Sequence, residues 1–349
     1  MEYSSYTYDA VQLLKQLIAI PSVSRDEKAA ADTLQDYMVS KGCKVERYGN
    51  NILSRSEQFD DTMPCVLLNA HIDTVKPVDS WTRNPFQPTL EGDRLYGLGA
   101  NDCGGGLVAL LHVFLQMREC SPNILFLASA EEEVSGKGGM ECMIPKLPAV
   151  DFALVGEPTA MQPAIAEKGL MVVDAVAEGV SGHAARNEGV NAIYIAMDDI
   201  NWIRNYQFPK VSEFLGPVKT TVTVIEAGTQ HNVVPDTCRF TIDVRINECY
   251  INKEVFDILN NNTKSRLKPR SFRLGSSSIG ISHPFVRRCV EMGKRPFGSP
   301  TLSDQALMPF PSLKMGPGDS ARSHTADEFI CISEIDDAIK TYLTLLKEE

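Results

Sequence analysis

Apolar residues recur at helical spacing over Ala10–Ile20, and Pro21 ends the run. The same spacing predicts a second helix over Lys28–Lys41, closed by Gly42, and strands over Cys43–Tyr48 and Ile52–Ser54 around the Gly49-Asn50-Asn51 turn. Continuous apolar runs follow at Cys65–Ala70, Ile124–Ala130 and Phe152–Gly156, the pattern of strands buried on both faces of a parallel sheet. Gly104–Met117 and Gly138–Ile144 read as helices between them. Strand and helix in alternation predict an α/β fold, a mixed, mostly parallel sheet flanked by helices.

The pattern changes after Lys168. Leu170–Val180, Lys219–Ala227 and Cys238–Ile246 alternate apolar and polar positions, Ala192–Tyr206 and Asn252–Asn262 have helical spacing, and Ser271–Ser277 reads as a last strand. The order β-α-β-β-α-β is that of a ferredoxin-like α+β module. Helix and short strand resume at Pro284 and end in a helix over Ser333–Lys347. We therefore expect a larger domain built from residues 1–169 and 281–349, with a smaller one, 170–280, inserted into it.

A length of 349 residues agrees with two domains. The balance of 34 basic against 45 acidic residues gives a net charge of −11, which offers nucleic acid or anionic lipid no general attraction. Met1–Ala10 lacks the basic and apolar segments of a signal peptide, and the longest apolar stretch, Leu107–Met117, is too short to span a bilayer. Nine cysteines without paired spacing argue against a disulfide framework and fit a reducing cytoplasm.

The chemistry concentrates where the apolar runs stop. The first leads into His71-Ile72-Asp73, the second into Glu131-Glu132-Glu133, the third into Glu157. Ligands of open parallel sheets bind beyond the carboxyl ends of the strands, so these groups converge on one edge. Asp102 joins them from the glycine-rich segment Gly97–Gly106, and His324 from Ser323-His324-Thr325. Gathered carboxylates repel one another unless a divalent cation offsets the repulsion, and His with Asp and Glu suits zinc, cobalt or manganese. With Asp102 as a bridge, two ions find three protein ligands each: His71, Asp102 and Glu157 for one, Asp102, Glu132 and His324 for the other. Glu131, adjacent to a ligand, suits a general base acting on a water shared by the two ions. Three consecutive glutamates are more commonly a solvated turn, and one histidine after a strand a surface residue; the joint pattern outweighs both readings. Gly97–Gly106 is not a dinucleotide fingerprint, since Asp102 stands where the third glycine belongs.

As an ordered set, His71-Ile-Asp73-Thr-Val, Gly99-Ala-Asn-Asp102-Cys-Gly-Gly, Glu131-Glu132-Glu133, Gly156-Glu157-Pro158-Thr159, Ser181-Gly182-His183-Ala184 and Ser323-His324-Thr-Ala-Asp-Glu328 resemble the co-catalytic dizinc amidohydrolases of the M20 peptidase family. Within that family the resemblance is to the acetylornithine deacetylase and succinyl-diaminopimelate desuccinylase group. It implies the same five metal ligands, His71, Asp102, Glu132, Glu157 and His324, with Asp73 orienting His71 and Glu131 as the base. It further implies that the inserted domain is a lid through which the chain forms a homodimer. His183 would then hold the oxyanion in the partner subunit's site, and Asn232 and Arg245 would grip a substrate carboxylate. The implied reaction is hydrolysis of the amide of an N-acyl amino acid, with N-acetylornithine in arginine biosynthesis as the expected substrate. N-succinyl amino acid desuccinylation and dipeptidase or carboxypeptidase activity are the alternatives. Where the family commonly has Met-Lys after the bridging Asp, this chain has Cys103-Gly104.

Overall fold

A computed structural model describes residues 3–63, 65–119 and 123–347 of the chain. The chain divides into two compact units, one of Met1–Ile165, Ser278–Phe297 and Ser303–Glu349, the other of Ala166–Ser277 and Gly298–Leu302.

Most of a nine-stranded sheet belongs to the first unit. Its strands are β1 (Val45–Tyr48), β2 (Asn51–Arg55), β3 (Cys65–His71), β6 (Ile124–Ser129), β7 (Val150–Val155), β8 (Ala164–Glu167), β13 (Ser277–Ser278), β14 (Phe297–Ser299) and β15 (Ser312–Lys314). They run in the order β1-β2-β6-β3-β7-β15-β8-β13, with β14 also on β8. The centre, β6-β3-β7-β15, is parallel, and antiparallel pairs flank it. A small antiparallel sheet joins β4 (Thr89–Glu91), β5 (Arg94–Tyr96) and β16 (Phe329–Cys331).

Burial explains the local choices. Every residue of β6 is buried, as is all of β3 except Val66. Leu67, Leu125, Leu127, Ala153 and Val155 pack with Met140 and Met143 in one cluster. Helix α3 (Gly105–Met117) is apolar on nearly all sides and buried from Gly105 through Phe114, as expected of a helix enclosed in a core. Its His112 is a satisfied core residue, with Nδ1 2.7 Å from the Val108 carbonyl and Nε2 2.8 Å from the Tyr37 hydroxyl. The other helices of this unit are α1 (Ser5–Ile18), α2 (Lys28–Ser40), α4 (Met140–Met143), α7 (Pro284–Glu291) and α8 (Ile332–Leu346). Helix α1 starts five residues ahead of the apolar periodicity because the Ser4 hydroxyl accepts the Thr7 N–H at 3.2 Å and caps it.

The second unit has the expected ferredoxin-like order. Strands β9 (Gly169–Glu178), β10 (Lys219–Ala227), β11 (Thr237–Ile246) and β12 (Arg266–Pro269) form an antiparallel sheet ordered β10-β11-β9-β12. Helices α5 (Ala192–Asn205) and α6 (Asn252–Asn262) belong to the same unit, whose core includes Val173, Ala196, Phe240, Ile242 and Leu259. The last strand is Arg266–Pro269, not Ser271–Ser277; as an edge strand it buries Leu267 alone, too little to mark the sequence. Helix Gly138–Ile144 shortens to Met140–Met143. No helix among the described residues is long and apolar enough to cross a membrane, and the described cysteines are free thiols.

The start of α3 and the end of β7 touch through glycines. A Cβ on Gly106 would lie 1.7 Å from the Gly156 carbonyl oxygen, one residue before Glu157. Gly106→Ala must therefore push helix and strand apart. We expect it to lower unfolding free energy by about 2–3 kcal/mol. A urea midpoint unchanged from the parent would contradict this.

Candidate metal centre

The parallel order sets the site. β3 lies between β6 and β7, so His71 at its end stands between Glu131–Glu133 beyond β6 and Glu157 beyond β7. Beyond β15 the chain passes through Gly316–Asp319 to His324. Asp102 sits in the turn ahead of α3, after Gly99 in the left-handed region at φ 73°.

Asp102 is the centre of the cluster. Its Oδ1 lies 3.3 Å from His71 Nε2, and its Oδ2 lies 3.5 Å from His324 Nε2. Glu157 Oε1 is 3.6 Å from His71 Nε2. The Nδ1 of His71 is 2.8 Å from the Asp73 carbonyl; donating its N–H there leaves the Nε2 lone pair facing the two carboxylates.

The glutamate run departs from expectation by one residue. Glu133, not Glu132, reaches His324, with its oxygens 3.0 and 3.2 Å from Nε2. Glu131 turns away: its carboxylate accepts the Gly138 N–H at 3.3 Å and lies 3.9 Å from Arg25 Nε. The reason is a backbone reversal. Glu131 has φ 54°, so the chain folds back and aims the next two amides at Asp73. Asp73 Oδ1 accepts the Glu132 N–H at 3.0 Å, and Oδ2 accepts the Glu133 N–H at 3.2 Å and the Ser24 hydroxyl at 2.7 Å. A buried Glu27 oxygen accepts the Glu131 N–H at 3.0 Å.

Glu328 does for Asp102 what Asp73 does for the glutamates. It is 2 % exposed and accepts the N–H groups of Gly99, Asn101 and Asp102 at 2.8–3.1 Å. Asn101 in turn donates to the Asp319 carbonyl and the Ser323 hydroxyl, tying the Asp102 turn to the His324 loop. Glu133, Glu27 and Glu328 had no place in the sequence-based ligand set. Glu328 did have a signal, since it closes the Ser323–Glu328 motif.

Burial and mutual repulsion distort the acidities. Burial pushes Glu132 well above the carboxylate range, and burial with the nearby Asp102 pushes Glu157 up to about 8. Burial also acts on Asp102, yet the His71 and His324 rings hold it below its usual range. The Glu133 hydrogen bond raises His324 to about 9. This donor set fits divalent cations. Nitrogen and oxygen atoms 3.3 and 3.6 Å apart match the roughly 3.4 Å separation of ligands around a tetrahedral ion with bonds near 2.1 Å. The gathered carboxylates are groups that an ion would stabilise in charged form.

The remaining expected residues lie in the ferredoxin-like unit. The backbone of His183 pairs with Val233, and the Ala184 N–H donates to the Asn232 carbonyl at 3.0 Å, so the His183 and Asn232 segments lie together, both exposed. Arg245 is already engaged: Nε and an Nη donate to the two oxygens of Asp243 at 2.8 and 3.2 Å. This pair occupies one edge of the guanidinium and leaves the remaining N–H donors on a side chain that is partly exposed.

Fold and cluster together define an α/β protein with a candidate divalent-cation site at the carboxyl edge of its parallel strands. Residues 67–348 match the peptidase family M20/M25/M40, and the chain belongs to that family. It is 27 % identical to a succinyl-diaminopimelate desuccinylase of Corynebacterium glutamicum over 96 % of both chains. It is also 27 % identical to the same enzyme of Ehrlichia canis over 79 % of this chain and 78 % of that one. In fold it is similar to the aminopeptidase PepT of Bacillus cereus, with a TM-score of 0.77 and 16 % identity, covering 97 % of this chain and 98 % of that one. It is likewise similar to a dinuclear metal-binding M20 peptidase of Bacillus subtilis, with a TM-score of 0.72, 15 % identity, and 98 % and 97 % covered. Both curated relatives are named for a succinyl substrate, not for acetylornithine.

Two outcomes follow. Removing the Asp73 carboxylate frees both glutamate amides and the Ser24 hydroxyl while leaving the backbone carbonyl that holds the His71 ring, so Asp73→Ala should weaken zinc binding by about 10–100-fold in calorimetric titration; unchanged affinity would show that the loop holds without it. Protons also compete with metal. His324, raised to about 9, and Glu157, raised to about 8, must both lose a proton to become ligands, so apparent affinity should climb from about pH 6 to about pH 9. In metal-free protein the His324–Glu133 pair acts oppositely. Its stabilisation is full below the unfolded pKa of about 6.5 and disappears as pH rises through about 9. Chelator competition across this range checks the first effect, which a flat profile would refute.

Proposed function

We propose that this chain hydrolyses the amide bond of an N-succinyl amino acid. The observation that carries the reading is Asp102, one oxygen toward His71 and the other toward His324. In this reading His71, Asp102 and Glu157 hold one divalent ion, and Asp102, Glu133 and His324 hold a second, zinc first with cobalt or manganese as substitutes. The chemistry such ions supply is polarisation of the scissile carbonyl and ionisation of water near neutral pH.

The chain's own groups do the rest. Glu132, not Glu131, is the base: Asp73 fixes its amide beside that of the Glu133 ligand, whereas the Glu131 carboxylate is turned to the Gly138 N–H; as a carboxylate Glu132 accepts a proton from the attacking water and passes it to the leaving amine nitrogen. Asp73 positions the base and the Glu133 ligand through adjacent amides. The succinyl preference rests on the named curated relatives.

We assign His183 and Asn232 to substrate contact across a homodimer. Support comes from β10, an edge strand whose Val224 and Ile225 are 49 % and 54 % exposed, a surface suited to pairing with a second copy.

Glu132→Gln should keep its metal and lose at least about 10²-fold in kcat, whereas Glu131→Gln should remain close to the parent. The reverse result would return the base to Glu131. On one zinc-loaded preparation, N-succinyl amino acids should be cleaved with higher kcat/KM than their N-acetyl counterparts. Preference for acetyl substrates would overturn the acyl assignment, and preference for dipeptides the amino acid deacylase reading.

A further inference from the structure

A cavity of about 440 Å³ opens in the first unit where the β1–β2 hairpin parts. Val45 and Ser54 are the last paired residues of that hairpin. Beyond them Lys44 and Arg55 diverge, and Cys43, Val45, Phe59 and Arg118 add to the wall. Arg118 directly follows α3, whose 13 residues span about 20 Å and whose other end adjoins Asp102, so the cavity is no part of the metal centre. A guanidinium carries five N–H donors, and that of Arg118 is poorly served. Its side chain is 13 % exposed, and among the described residues it makes one hydrogen bond, from an Nη to the Cys43 sulfur at 3.0 Å, a weak acceptor. Its Nε is buried with no hydrogen-bond partner among them. Glu57 and Glu119 stand 3.7 and 3.8 Å from it, beyond hydrogen-bond reach, and each is more than half exposed. Lys44 is exposed and has no ion-pair partner among the described residues. The other charges of the wall are engaged: Glu46 accepts from Arg55 Nε at 3.1 Å and from the Tyr48 hydroxyl at 2.8 Å. The Arg55 guanidinium also lies over the Phe59 ring, 5.3 Å from its centroid.

We propose that this cavity binds a phosphate monoester with a small apolar body, its dianionic group on Arg118 and Lys44 and its body against Val45 and Phe59. The inference is independent of the metal-dependent reading. Its volume lies in the range of small-molecule sites, which pair an apolar wall with a few polar anchors. Phosphate oxygens are charged acceptors, and a guanidinium that is mostly out of water gains far more from them than from a thiol. Two cations without close acceptors match a dianion better than a single carboxylate. A cation at the end of α3 also suits the carbonyl end of the helix, but that role would need neither Lys44 nor an open cavity beside it.

The test is titration of phenyl phosphate into the zinc-loaded full-length chain, followed by phosphorus NMR, with a chelator-treated sample in parallel because phosphate also binds zinc. Saturable binding with a Kd of about 1 mM or tighter is expected in both samples. Inorganic phosphate, which lacks the apolar body, should bind at least about tenfold more weakly. Arg118→Gln should weaken phenyl phosphate binding by about tenfold or more. Lys44→Gln, at an exposed position where the fold is not at stake, should weaken it by about threefold or more. No saturable binding up to about 10 mM, or binding that the chelator abolishes, would overturn the site. A Lys44→Gln chain that binds as tightly as the parent would overturn the two-cation anchor, even where Arg118→Gln does not fold. Equal affinity for inorganic and phenyl phosphate would overturn the apolar wall.

Discussion

Negative charge held out of water is the constraint on which the rest of the structure depends. Asp73, Glu27 and Glu328 are buried carboxylates; Asp73 accepts two backbone N–H groups, Glu328 three and Glu27 one, all from loops that end in the candidate metal cluster. These acids face the cluster only indirectly. They convert flexible loops into fixed ones by giving several amides one shared acceptor, and a hydrogen bond to a charged group is stronger than one between neutral groups. Burial by itself would drive Glu328 toward protonation; it reaches about 7, with the Asp102, Asn101 and Gly99 amides opposing the rise.

This arrangement explains the backbone geometry nearby. Glu131, Ser135, His324 and Asp327 all have positive φ although none is glycine. Each such conformation costs free energy, and a surrounding network must over-determine it. The Asp73 and Glu328 networks do so on both sides of Asp102. The two imidazoles consequently face the same carboxylate from opposite oxygens, in a shape set by the protein before any ion arrives.

What the sequence made legible follows from what periodicity can carry. Strand β10 and helix α6 have the limits expected from their patterns, and β3, β6 and β7 were marked by buried runs. Strands β4, β5 and β16 have three residues each, below any periodic signal. His71, Asp102, Glu157 and His324 were found by their positions after strands or inside glycine-rich turns, and they do come together. The register of Glu131-Glu132-Glu133 was not readable, since three identical residues carry no phase. A single left-handed residue decides which of them face the site. Arg245 was chosen for its fork, but Asp243, two residues away on the same face of β11, meets that fork first.

The exposed β10 edge has a consequence for handling the protein. Its outer row of N–H and C=O groups lies beside Thr223, Val224 and Ile225, and among the described residues no strand pairs with that side of the sheet. Such an edge does not distinguish a correct partner from any other extended chain. Expressed as a free fragment, the ferredoxin-like unit would carry this sticky edge with its own folded core behind it, making it a seed for aggregation. Lysine placed at Val224 or Ile225 is the natural gatekeeper for such a fragment.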